Sequence, residues 1–155
     1  MNGPELIDLV HDILRDSTEL SEIKDWKKVT GLITLKAPGC SIGIDKEEFD
    51  EYTRDLDEVT AHMRLVLWVK HTDPIVGEAQ IRLYAQACRL ILTSSRTLGG
   101  AVDDSFVKSI EYATADAEKS LIQHLAEIDY RVTYYSERTL PEELNPVESV
   151  NNDFD

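Results

Sequence analysis

Near the start of the chain, Leu6, Leu9, Val10, Ile13 and Leu14 recur at helical spacing. They follow Asn2 and Gly3, which can cap a helix, and Pro4, which suits its first position. The pattern predicts an amphipathic helix ending near Asp16–Thr18. After a polar connection, β-branched and apolar residues dominate Val29–Leu35, and Ala37-Pro38-Gly39 closes that run with turn chemistry, so a strand is expected there. Ser41–Ile44 reads as its short hairpin partner. Residues 45–58, DKEEFDEYTRDLDE, show only a weak helical pattern through Phe49, Tyr52 and Leu56 and are expected to form a loop.

The next signal is stronger. Ala61, Met63, Leu65, Leu67 and Val69 alternate with His62, Arg64, Val66, Trp68 and Lys70, which predicts a central strand with one apolar and one mixed face. Thr72-Asp73-Pro74 then marks a turn. Across Gly77–Ser94 an apolar arc through Ile81, Tyr84, Ala85, Cys88, Leu90, Ile91 and Leu92 predicts the major helix, and an arc so broad must pack on more than one surface. Gly99-Gly100 reads as a turn, Phe106–Thr114 as a strand, and Leu125–Ser136 as another strand with Ala126, Ile128, Tyr130, Val132 and Tyr134 on one face. The expected fold is α+β: a mostly antiparallel sheet of four to five strands packed with two main helices, in the order α-β-β-β-α-β-β. Residues 1–136 make one domain. Residues 137–155, with two prolines and no periodicity, are expected to be a flexible acidic tail.

Charge adds asymmetry to this picture. The chain of 155 residues carries 16 Lys and Arg against 30 Asp and Glu, a net charge of −14. Residues 45–58 hold eight acids and two bases, and residues 137–155 hold six acids and one base, so the rest of the chain is close to neutral. That balance disfavours a DNA backbone or an anionic membrane surface as the main partner. No run of apolar residues is long enough for a membrane span, and Met1–Glu5 lacks the features of a secretory signal. Cys40 and Cys88, in different elements, are expected to be buried thiols rather than a disulfide.

Candidate chemistry is sparse. His11, His62, His71 and His124 have no metal-site spacing and are expected to be surface or satisfied histidines; no P-loop, nucleotide-binding glycine fingerprint or nucleophile elbow is present. Carboxylates are so abundant that no single acid–base pair stands out, and 45–58 lacks the glycine-centred spacing of an EF-hand loop. No cofactor, metal or catalytic role is assigned, and the chain is not expected to be an enzyme. Arg64 and Trp68, on the mixed face of the best strand, are candidates for a partner surface, with burial of Trp68 under one of the protein's own helices weighed equally.

In this order of elements the chain resembles the tail terminator, or tail-to-head joining, proteins of long-tailed bacteriophages. The likeness lies in PELIDLVHDIL, APGCSIGI, MRLVLWVKH leading into GEAQIRLYAQACRLIL, LGGAV and LAEIDYRVTYY, and covers roughly residues 4–136. Segment 45–58 and the tail after Ser136 look like additions to the family pattern. The resemblance implies a structural virion protein at the tail-head junction, assembled in the host cytoplasm. There it would form a ring, usually of six copies, that stops growth of the tail tube. Its partners would be the tail tube protein and a head-completion or connector protein, with DNA only in transit and no membrane. Asp45, Glu47, Glu48, Asp50 and Glu51 are the acidic residues expected at the lumen or an interface, where they would repel passing phosphates. Other readings are a different neck or head-completion protein, an acidic inhibitor or DNA mimic, and, third, an enzyme.

Overall fold

A computed structural model describes residues 1–30, 37–116 and 120–138. Its elements are α1 (Gly3–Arg15), β1 (Asp25–Lys27), β2 (Gly39–Glu51), β3 (Leu56–His71), α2 (Pro74–Thr93), β4 (Asp104–Asp116) and β5 (Ile122–Glu137). The protein is α+β, with a five-stranded sheet in the order β1-β2-β3-β5-β4. All neighbouring strands are antiparallel except β1, which runs parallel to β2. The helix and strand order matches the sequence expectation, with two differences in placement.

The expected strand Val29–Leu35 falls mostly outside the described residues, and Val29 and Thr30 form a bend. The first strand is instead Asp25–Lys27, which is too short to show an alternation and exists because Trp26 lies level with Cys40 of β2. The acidic segment 45–58 is not a loop. Residues through Glu51 continue β2, a tight turn follows, and Leu56 begins β3.

Both helices start at sequence-encoded caps. Asn2 Oδ1 accepts a hydrogen bond from Glu5 N (2.9 Å), and Asp73 Oδ1 accepts one from Ile75 N (2.9 Å), each worth about 1 kcal/mol. Asp73 and Pro74 are thus the cap and first position of α2, which begins before the expected Gly77.

Both helices cover one sheet face. Leu6, Val10 and Leu14 of α1 and Ile81, Tyr84, Ala85, Cys88 and Leu92 of α2 pack on Met63, Leu65, Leu67, Ala126, Ile128 and Tyr130. Leu98 and Val102, around the Gly99-Gly100 turn (φ 74° and 90°), close one end of the core. The opposite face carries no helix. On that side the chain leaving β1 crosses β2 at Gly43, where a Cβ would stand 2.6 Å from the Thr30 backbone. Only glycine permits this approach.

Candidate functional site

The helix-free face carries a network of charged side chains. A bulge between Ile44 and Lys46 gives β2 one extra residue, Asp45, and re-aims its side chain. Asp45 Oδ2 accepts from Arg64 Nη2 (2.8 Å), and Arg64 Nε donates to Glu127 on β5 (2.7 Å), so one guanidinium ties three strands together. Beside it Arg131 Nε donates to Asp129 (2.8 Å), and His62 Nε2 contacts Glu48, which also faces Lys46 at 3.8 Å. These partners pull the carboxyls of Asp129 and Glu48 below their ordinary values, chiefly through the hydrogen bonds from Arg131 and His62. A groove of about 260 Å³ runs between Asp45, Arg64, Ser109, Glu111 and Glu127. Of the acids that line it or stand beside it, Asp45 and Glu127 pair with Arg64 and Asp129 pairs with Arg131, the arrangement of a structural ion-pair network.

Asp45 and Arg64, assigned separately in the sequence, are therefore one ion pair. Trp68 belongs elsewhere: it is 4% exposed on the same face, level with Gly39 and Leu125. It is buried within the chain, on the face that carries no helix. Its Nε1 has no hydrogen-bond partner among the described residues.

Glu47, Glu48, Asp50 and Glu51 lie on the free arm of the β2–β3 hairpin. Lys46, Glu48 and Asp50 pair with His62, Thr60 and Glu58, whereas Glu47, Phe49 and Glu51 pair with Ala61, Val59 and Asp57 on the helix-bearing side. Phe49 is 61% exposed. The arm is fastened by a residue that the sequence reading placed in the tail. Arg138, directly after β5, donates from Nε to Asp57 (2.8 Å) and from Nη1 to the Arg54 carbonyl (2.7 Å), and its N–H donates to the Asp55 carbonyl (3.1 Å). The Asp57 carboxyl sits below its ordinary value mainly because of the Arg138 hydrogen bond. The available signal was that Arg138 is the lone base among six acids in 137–155.

The outer side of α2 is a second exposed surface. Val76, Leu83 and Leu90 recur every seven residues and remain exposed, and a depression of about 700 Å³ opens between Leu83, Ala87, Leu90 and Ile91 and the Ser17–Glu19 turn. One of the surfaces required by the broad apolar arc is thus the sheet, and the other is left open. On the flank facing β4, Arg82 donates to Glu78 (3.0 Å) and lies over the Tyr112 ring at 4.9 Å. Next to it a depression of about 310 Å³ is lined by Gln86, Arg89, Val107, Lys108, Ser109, Ile110 and Tyr112.

The remaining chemistry-bearing groups are internal. Cys40 and Cys88 are free and buried, and burial pushes both thiols up, Cys88 to about 12. His11 meets Asp12 (2.9 Å) and packs edge-on to Trp26. His124 departs from expectation: it is 2% exposed beneath Gly77, and its Nε2 finds no partner among the described residues. Among those residues no cluster of His, Cys, Asp and Glu could hold a metal ion, and no helix is long and apolar enough to cross a membrane.

The fold has a counterpart in a virion. A chain from the solved structure of the virion of a native gene transfer agent particle superimposes with a TM-score of 0.50 at 10% identity, over 84% of this chain and 95% of that one. At that identity the likeness is one of fold. No protein-family profile matches the sequence, and no curated protein matches it.

Proposed function

We propose that the protein is a structural component of a virion, and within that class a tail terminator: a ring, of six copies, that caps the tail tube, stops its polymerisation and offers the opposite face to a head-completion protein. The observation that supports this reading is the likeness of fold to a gene transfer agent virion chain over nearly the whole of that chain. The surfaces agree with it. Polar groups on the helix-free face neutralise one another, while α2 leaves an apolar stripe open, as a subunit with more than one neighbour would. In this reading the protein is not an enzyme and carries no cofactor. A DNA mimic fits the geometry less well, because Asp45, Glu48 and Asp57 already face Arg64, Lys46 and Arg138 of the protein itself.

The test is negative-stain microscopy of the purified protein with the tail tube protein of the same virion, under conditions in which the tube protein polymerises. Tubes capped by a ring and arrested in length are expected. Tubes of unaltered length with no density at their ends would overturn the tail terminator reading.

A further inference from the structure

The two long edges of the sheet are unlike in charge and complementary in shape. One edge is β4, which pairs only with β5. The other is the distal half of β2, since β1 covers only Gly39–Ser41. At the β4 edge a bulge between Val107 and Ser109 pushes out Lys108. Lys108 and Arg89 of α2 make no ion pair within 4 Å among the described residues, Lys108 acting on the Asp129 carboxyl only as a more distant charge, and no carboxylate lines the depression they share with Val107, Ile110 and Tyr112. The opposite edge presents Glu47, Phe49 and Glu51 side by side on the helix-bearing side, with Phe49 exposed between two acids.

We propose that this depression between α2 and β4 receives the hairpin arm of a second copy of the chain, with Phe49 seated on Val107, Ile110 and Tyr112 and with Glu47 and Glu51 meeting Arg89 and Lys108. The charge argument is local: in a chain of −14, two cations without an ion pair among the described residues flank a depression of mixed lining that holds no carboxylate, and two acids, of which Glu51 lies 4.0 Å from Arg138, flank an exposed aromatic on the other edge. An aromatic anchor ringed by complementary charge is the composition of an interface centre. Across the sheet the two halves are staggered: Val107, Ile110 and Tyr112 lie level with Ile44, Ile42 and Cys40, whereas Phe49 lies level with Tyr134, beyond the first β4 pair at Asp104, so the second copy is displaced along the strand direction. Because the two halves lie on opposite edges, the contact is head-to-tail and repeats from copy to copy, the arrangement that closes into rings. A bulged edge with an outward lysine resists plain strand addition, so the contact is made by side chains. The inference deepens the ring reading above by naming its subunit contact.

The experiment is sedimentation velocity on the full chain with two charge-reversed variants, one carrying Arg89→Glu and Lys108→Glu, the other Glu47→Lys and Glu51→Lys. All four positions are exposed, but Glu51 lies 4.0 Å from Arg138 and Glu47 packs against Gly3 at the start of α1, so each variant is first required to melt within a few degrees of the parent, and the Arg89→Glu, Lys108→Glu variant alone carries the test if the other does not. The parent should self-associate, each variant alone should associate at least about tenfold more weakly, and an equimolar mixture should recover the parent assembly, since each variant's arm then matches the other's depression. Phe49→Ala should weaken assembly without changing its charge. Neutralisation by Glu47→Gln and Glu51→Gln should also weaken it, whereas acids that merely lined an open lumen would give stronger association when neutralised. Rings unaffected by either reversal would overturn this contact and leave the tail terminator reading standing. Loss in both variants without recovery on mixing would overturn the pairing. A parent that stays monomeric at every concentration would overturn the self-contact, and the tube assay would then decide the function separately.

Discussion

Leu67 and Leu83 carry the same side chain in opposite environments, so truncating each to alanine tests the register of the sheet. Leu67 is 0% exposed on the helix-covered face, with Cys40 of β2 and Ala126 of β5 as its cross-strand neighbours, whereas Leu83 is 68% exposed on the outer side of α2. Leu67→Ala removes apolar carbon worth about 0.8 kcal/mol per methylene, roughly 2.4 kcal/mol in all. The unfilled space adds to this. Both flanking residues are small and fixed in paired strands, so the site collapses poorly and a total of about 3–5 kcal/mol is expected. For a chain of this size that lowers the melting temperature by on the order of 6–20 °C. Leu83→Ala should change stability by less than about 0.5 kcal/mol, because the lost contact is small and alanine is the better helix former. Urea unfolding followed by circular dichroism, at protein concentrations below assembly, measures both changes; the denaturant slope should stay constant. Equal losses at the two leucines, or a loss under about 1 kcal/mol at Leu67, would refute the assigned register, since a one-residue slip moves every side chain of β3 to the other face.

Gly43→Ala should destabilise the fold by about 1–3 kcal/mol in the same assay, since its Cβ must displace the Thr30 backbone. Removing residues 139–155, which lie outside the described residues, should leave the melting temperature within a few degrees of the parent, provided that Arg138 is retained. Asp57 is held below its ordinary value by Arg138, so its contribution is present above the unfolded carboxyl value and is lost as pH falls through the lower folded one. NMR titration should show the Asp57 carboxyl rising in Arg138→Ala, with faster amide exchange at the arm tip. Cys40 and Cys88, buried and pushed up in pKa, should resist a thiol reagent in the native protein and both react in denaturant.

Elements that bury one face were legible in the sequence for a simple reason. Burial imposes the period of the element on its apolar residues, as in β3 from Ala61 to Val69 and in β5 from Ala126 to Tyr134. The acidic arm escaped the same reading because its β2 strand is exposed from Lys46 onward, and a strand exposed on both faces carries no alternation. Its structure comes from pairing with β3, which β5 in turn supports, and from Arg138 at its tip.

The candidate surfaces divide in the same way. The sequence by itself determined the cap of α1, the core faces of β3, β5 and both helices, and the concentration of charge in 45–58 and 137–155. Only the tertiary structure decided that Asp45 and Arg64 neutralise each other, that Trp68 is buried, that Arg138 bonds to the tip of the arm, and that Phe49 and the Arg89–Lys108 depression stand on opposite edges. Local propensity acts over one or two turns of chain, whereas strand order, a bulge at Asp45 or Lys108 and the pairing of charges 19 to 81 residues apart depend on which surfaces the folded core brings together.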